Sequence, residues 1–125
     1  MFAEKSWGSF RVLDVEKESL TIKVTLNPGH HMNYHSHEFR DEVWNVISGE
    51  GRIVIDDVIQ NVKAGDTVKM KAGCKHTVLA DTELQIIEVQ FGKDIKYMVN
   101  NSSSRKRYAS PKAGTELYLD LVFRQ

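Results

Sequence analysis

The sequence has little of several features that would assign it to a class at once. It has one cysteine among 125 residues, so it cannot form an internal disulfide, which fits a reducing compartment. Basic and acidic residues number 17 each, so the composition gives no net attraction to nucleic acid or to an anionic membrane. No apolar run approaches the length of a membrane span or a signal-peptide core. We therefore expect a cytoplasmic protein whose ligand is a small molecule, with neither nucleic acid nor a membrane as partner.

The length predicts one domain. A chain of 125 residues can bury roughly two thirds of its unfolded surface, so it needs neither a disulfide nor a metal merely to fold. Any metal that the chain binds is therefore expected to serve its function.

Short strand patterns recur along the chain, and no stretch has the periodicity of an amphipathic helix. Residues 20–26 alternate strictly between apolar and polar, which predicts a strand with one buried face. Runs rich in β-branched and aromatic residues, separated by Gly, Asp and Asn, predict further strands. These cover residues 42–48, 52–55, 58–62, 67–70, 76–79 and 83–91. Many short strands at this spacing indicate an all-β barrel or jelly roll.

The most informative stretch lies between Gly29 and Glu42, because it concentrates good metal ligands. In an extended strand, residues two apart project from the same face, so His35 and His37 could direct their imidazoles at one point. Imidazoles together with the Glu42 carboxylate suit a borderline divalent transition metal such as Zn, Fe, Mn, Co or Ni. A fourth ligand should then lie downstream, where His76 is the remaining histidine. The alternative is that these histidines are surface or packing residues that bind nothing.

Together, two stretches resemble the cupin family, whose paired motifs are G-x5-H-x-H-x(3,4)-E-x6-G and G-x5-P-x-G-x2-H-x3-N. The first motif is filled completely and the second in three of its five places, with Lys71 where the family has proline and Ala80 where it has asparagine. The matching residues are Gly29, His35, His37, Glu42 and Gly49, and then Gly65, Gly73 and His76. The resemblance implies a double-stranded β-helix, which is a jelly-roll barrel, with one metal held by His35, His37, Glu42 and His76. It places motif 1 at 29–49 and motif 2 at 65–80 of a single cupin domain over 1–125. His30 and His31 fall outside the spacing and are expected to be loop residues.

A narrower resemblance is to the cupin domain of type II mannose-6-phosphate isomerases. It is carried by Trp7-Gly8-Ser9-Phe10, by Arg40-Asp41-Glu42-Val43-Trp44 and by Ile87-Glu88-Val89-Gln90-Phe91-Gly92. It implies a metal-dependent aldose–ketose isomerase that acts on a sugar phosphate such as mannose 6-phosphate. Because one fold can carry many chemistries, two other classes stay open. They are a metal-dependent dioxygenase and a non-catalytic cupin that binds a sugar or another metabolite.

Three further residues are candidates for the chemistry of an isomerase. Glu88 is the candidate acid/base, because a carboxylate near a barrel interior can have a raised pKa that suits proton transfer. Arg40 or Lys23 could bind the phosphate, since a guanidinium offers a planar fork to its oxygens. The alternatives are a solvent-facing strand residue for Glu88 and ordinary surface charges for the other two. Trp44 could be a core residue or a platform for the sugar.

Residues 93–125 form a C-terminal extension with strand character at its end. Leu117, Leu119, Leu121 and Phe123 would share one face of a strand over residues 117–123. An exposed apolar strand is an aggregation hazard and needs cover. We therefore expect it to pair with its own barrel or with a second subunit, and we favour a homodimer.

Overall fold

The alternation in the sequence becomes nine strands in the computed structural model, which describes residues 2–34, 36 and 39–93. Every strand pair is antiparallel, and the all-β prediction is confirmed. In chain order the strands are β1 (Phe2–Lys5), β2 (Gly8–Val15), β3 (Ser19–Leu26), β4 (Asp41–Ser48), β5 (Glu50–Ile55), β6 (Val58–Lys63), β7 (Thr67–Met70), β8 (His76–Ala80) and β9 (Leu84–Phe91). Within the described ranges, no helix has the length and apolarity needed to cross a membrane.

The strands form two sheets that enclose one core. Sheet A has the order β1-β2-β3-β9-β4-β7, and sheet B has the order β6-β5-β8. In β3 the predicted alternation holds along the whole strand, because every second residue from Leu20 to Leu26 is buried. The largest buried side chains include Trp44, Phe10 and Ile53, so both sheets contribute to the core.

β1 and β2 were not among the predicted strands. The four residues of β1, Phe-Ala-Glu-Lys, have no apolar alternation, and β1 forms at the sheet edge because it pairs with β2. Edge strands of this kind depend on their neighbour more than on their own composition.

The first residues of motif 1 run beside β8. The Met32 amide donates to the Val78 carbonyl over 3.2 Å, and the Ala80 amide donates to the His30 carbonyl over 2.9 Å. His31 forms a β-bridge with Leu79. Since β8 begins at His76, these bonds hold the first residues of motif 1 alongside the strand of motif 2.

Contacts on both sides of residues 35–38 anchor the chain beside the turn that precedes His76. On one side, the Tyr34 hydroxyl donates to Asp57 Oδ1 over 2.9 Å and accepts from the Asp57 amide over 2.7 Å. Lys75 Nζ lies 5.2 Å from the centre of the Tyr34 ring. On the other side, the Ala72 amide donates to Asp41 Oδ1 over 2.7 Å. The two motifs are therefore held together at described residues.

Several predictions fall outside the described residues. They concern His35, His37 and most of the extension, including the strand over residues 117–123 and the homodimer that it suggested. The described residues 32–34, 36, 39 and 40 are not in a strand, although the sequence interpretation placed the histidine pair in one.

The motif glycine Gly49 is expected to be far more sensitive to alanine than Gly73, although both have positive φ values of 90° and 87°. A Cβ at Gly49 would lie 1.9 Å from the Glu83 carbonyl oxygen, whereas a Cβ at Gly73 meets nothing within 4 Å. Gly73→Ala should lower the free energy of unfolding by about 1–2 kcal/mol through backbone strain. Gly49→Ala should lower it by more than about 3 kcal/mol, because the backbone must also shift. Urea unfolding followed by circular dichroism measures both, and equal losses would contradict the clash.

Candidate metal centre

Two neighbouring strands of sheet A place four functional side chains on the interior face. In the register of β4 and β9, Glu42 lies opposite Gln90 and Trp44 lies opposite Glu88. Residues two apart on a strand share a face, so the four side chains form one block. Each of them is at most 2% exposed. The R-x-E-x-W and I-E-V-Q patterns therefore meet in the interior of the protein.

His76 reaches this block from sheet B, across the core. Its Nε2 lies 3.0 Å from Glu42 Oε2, and both side chains are buried. Its Nδ1 lies 3.2 Å from the Cys74 carbonyl oxygen. Because a carbonyl can only accept, Nδ1 carries a proton in this contact, and Nε2 is the ring nitrogen that faces the carboxylate. Trp44 Nε1 donates to the other oxygen, Glu42 Oε1, over 3.2 Å.

The His76–Glu42 pair fits a metal ion. An imidazole nitrogen and a carboxylate oxygen that face each other in a buried place need a proton or a metal ion between them. Nitrogen and oxygen ligands bind such an ion at about 2.0–2.2 Å, so the observed separation of 3.0 Å would allow one ion to contact both atoms. Nitrogen and oxygen donors together suit a borderline divalent ion. The described residues gather no group of three such ligands, and the other two predicted ligands, His35 and His37, lie outside them.

Glu88 lies inside the protein, which excludes the solvent-facing alternative. It is 1% exposed, and its Oε1 accepts from Gln90 Nε2 over 2.7 Å. Burial raises the pKa of Glu88 well above its usual range, and the charge and hydrogen bonding of the adjacent Glu42 raise it further, against smaller opposing effects of Gln90 and Arg40. Glu88 Oε2 is buried with no hydrogen-bond partner among the described residues. Because Glu42 lies beside Glu88, Oε2 is the oxygen that a ligand, or a proton shared with Glu42, would occupy.

Of the two predicted phosphate-binding cations, the structure brings Arg40 to the site and leaves Lys23 away from it. Arg40 is only 5% exposed, so it is not an ordinary surface charge, and it donates to Gln90 Oε1 over 2.7 Å. Lys23 is flanked by the buried Ile22 and Val24. By strand alternation, it therefore lies on the outer face of sheet A, opposite to the face that carries Glu88.

The sequence interpretation missed Gln90. The signal was present, because a residue two places after Glu88 on the same strand must share its face. Trp44 was predicted to be core or a sugar platform, and its 1% exposure makes it core. Its ring also meets the His76 ring edge-on, with centroids 5.6 Å apart, so it packs against the candidate ligand.

A surface cavity lies apart from this centre, at the β1–β2 turn. Its volume is about 680 Å³, and its lining includes Lys5, Trp7, His30, His31 and Asn33. His30 and His31 are exposed, and His30 Nδ1 lies 3.1 Å from the Pro28 carbonyl oxygen. Of the two predicted ligands that the structure describes, neither Glu42 nor His76 lines this cavity, so it lies away from the His76–Glu42 pair.

Comparison with known proteins gives the same interpretation of the fold. A family model described as "Mannose-6-phosphate isomerase C-terminal" matches residues 2–102. Over 90 residues, which are 70% of this chain, the sequence is 24% identical to a mannose-1-phosphate guanylyltransferase of Escherichia coli K12. It is 28% identical over the same length to the mannose-1-phosphate guanylyltransferase RfbM of Salmonella typhimurium. The chain spans 19% of the length of each of these curated relatives.

Solved structures agree with the family match. An RmlC-like cupin from Shewanella frigidimarina is similar with a TM-score of 0.65 and 21% identity, over 71% of this chain and 79% of that one. At this identity the likeness concerns the fold alone. The predicted cupin double-stranded β-helix is confirmed.

Proposed function

Because the chain belongs to the mannose-6-phosphate isomerase C-terminal family of cupins, we propose that it binds one divalent transition metal and isomerises a sugar phosphate. The ligands are the four predicted ones, His35, His37, Glu42 and His76. One observation carries the proposal, namely the buried approach of His76 Nε2 to Glu42 Oε2 at 3.0 Å. A cation shared by these two atoms would remove the conflict between two acceptors.

The anchoring contacts support the full ligand set. Tyr34 is held against Asp57 and Lys75, and Asp41 is held against Ala72. The chain on both sides of the histidine pair is therefore fixed close to His76. A loop anchored at both ends by side-chain hydrogen bonds can deliver ligands to a common point at a lower entropic cost than a free loop.

The bound ion would supply Lewis-acid polarisation of the carbonyl and hydroxyl oxygens of the sugar. The protein must then move one proton between carbons. Starting from the ketose, Glu88 takes a proton from C1 and returns it to C2. The carbonyl passes from C2 to C1, and the hydroxyl proton passes from O1 to O2. The buried Oε2 is the oxygen placed to do this, since Oε1 is held by Gln90. Burial also excludes bulk water, which would otherwise exchange or misdirect that proton.

The proposal leaves guanylyl transfer out. The chain spans 19% of the curated guanylyltransferases that it matches, and the described site offers metal ligands and a buried carboxylate. Isomerisation is the narrower activity that these residues support.

The test is an isomerase assay on the purified chain. With fructose 6-phosphate and Mn²⁺, Co²⁺ or Zn²⁺, mannose 6-phosphate should form, and a chelator should stop its formation. The reaction should run equally well without oxygen. Metal binding without turnover of any phosphorylated hexose would indicate the non-catalytic binding module instead, and oxygen consumption would indicate the dioxygenase.

A further inference from the structure

Gln90 has an orientation that its neighbours fix. It is fully buried at 0% exposure, and both ends of its amide make short hydrogen bonds of 2.7 Å, to Arg40 Nη1 and to Glu88 Oε1. A guanidinium can only donate, so the amide oxygen must face Arg40. The amide nitrogen then faces Glu88 and donates to it. The direction of the amide therefore follows from the chemistry of its two neighbours.

The two carboxyl oxygens of Glu88 have different hydrogen-bond surroundings. Oε1 is engaged by Gln90, whereas Oε2 is buried with no hydrogen-bond partner among the described residues. Leaving a buried acceptor unmatched costs on the order of 1–3 kcal/mol, so a native fold tends to keep one where a ligand will meet it. The Glu88 carboxyl group is thus held by Gln90 at Oε1, which leaves Oε2 to face the site.

Arg40 belongs to the same chain of contacts. With 5% of its surface exposed, its guanidinium serves groups inside the protein, and its charge acts on Glu88 through the interior. Nη1 of this guanidinium is engaged by Gln90 inside the protein, so a substrate phosphate would have to enter the interior to meet it. The burial and the Gln90 contact favour an internal role.

We propose that Gln90 and Arg40 are positioning residues, which hold the Glu88 carboxyl with Oε1 fixed and Oε2 presented to the substrate carbons. This proposal rests on the proposed isomerase function for its kinetic consequence. It goes beyond that function because it gives a role to Gln90 and assigns Arg40 to the orientation of Glu88, not to the substrate phosphate.

The kinetic test uses Gln90→Met, which keeps the length of the side chain and removes both hydrogen bonds. Its matched control is Gln85→Met on the same strand, where Gln85 accepts from the Ser48 hydroxyl over 3.2 Å and lies on the opposite face. Gln90→Met should lower kcat about 10- to 100-fold, as the loss of outer partners commonly does, while KM and metal content stay near those of the control. Unchanged kcat would overturn the proposal, and so would a raised KM with an unchanged kcat.

Arg40→Met separates the two roles of the arginine. As a positioning residue, it should mainly affect kcat, and Arg40→Lys should restore part of the loss because an ammonium can still donate to Gln90. A large rise in KM for the phosphorylated sugar, with kcat intact, would instead place Arg40 on the phosphate and overturn this part of the proposal.

The Gln90–Glu88 hydrogen bond can also be tested by amide proton exchange, which needs no substrate and no activity. In ¹⁵N-labelled protein, the side-chain amide protons of Gln90 should exchange with water more slowly than those of Gln85, and Glu88→Leu should remove that protection. Equal exchange for the two glutamines, or protection that survives Glu88→Leu, would overturn the positioning of Glu88. A lack of isomerase activity with slow Gln90 exchange would overturn the proposed function alone.

Discussion

Protein that carries His76→Ala is expected to lose most of its divalent metal while its β-sheet circular dichroism persists. His76 supplies the Nε2 atom that lies 3.0 Å from Glu42 Oε2, so alanine would remove a direct ligand. Loss of an outer partner already costs about 10- to 100-fold in metal affinity, so the loss of a ligand should cost more than about 100-fold. Elemental analysis and competition with a fluorescent chelator measure the change. The predicted ligand His37 should behave in the same way.

The control is another histidine of the same chain. His30 is exposed and lies near the Pro28 carbonyl oxygen, so His30→Ala removes an imidazole without touching the centre. Its metal content should equal that of the wild type. If His76→Ala retains as much metal as His30→Ala, the metal hypothesis is contradicted. The motif resemblance would then predict the fold but not a metal site.

The strands could be predicted because their pattern is local. In β3 the two-residue period is enough to name the buried face from Leu20 to Leu26. The same period should have placed Lys23 on the outer face. Its neighbours Ile22 and Val24 are both buried, so the strand pattern contradicts the phosphate-binding role that the resemblance to an isomerase suggested for Lys23.

The interior contacts could not be predicted, because their partners are far apart in the sequence. The burial of Arg40 depends on Gln90, fifty positions along the chain, and on a register between β4 and β9 that pairs Glu42 with Gln90. Strand patterns give the face of each residue, but they do not give which strands are neighbours. The Glu42–His76 approach crosses from one sheet to the other, so it was predicted from metal-ligand chemistry and the resemblance and not from the strand pattern.

Glu88→Gln is expected to abolish turnover and to leave metal content unchanged. The substitution keeps the shape of the side chain and an acceptor oxygen for Gln90 Nε2, so the block around Trp44 should remain packed. It removes the carboxylate that moves the proton between C1 and C2. General acid–base groups contribute about 10²–10⁴-fold to a rate, so kcat should fall by about that factor. The assay is the conversion of fructose 6-phosphate in the metal-loaded protein.

The matched control for this change is Glu83→Gln, which makes the same chemical substitution at an exposed position just before β9. It should leave kcat, KM and metal content as they are. Retained turnover in Glu88→Gln would exclude Glu88 as the base. Loss of metal together with turnover would instead make Glu88 a ligand. That result would require its Oε2, which has no partner among the described residues, to face the ion beside Glu42, and the proton would then need another carrier. The two variants together therefore decide between a carboxylate that moves protons and one that binds the metal.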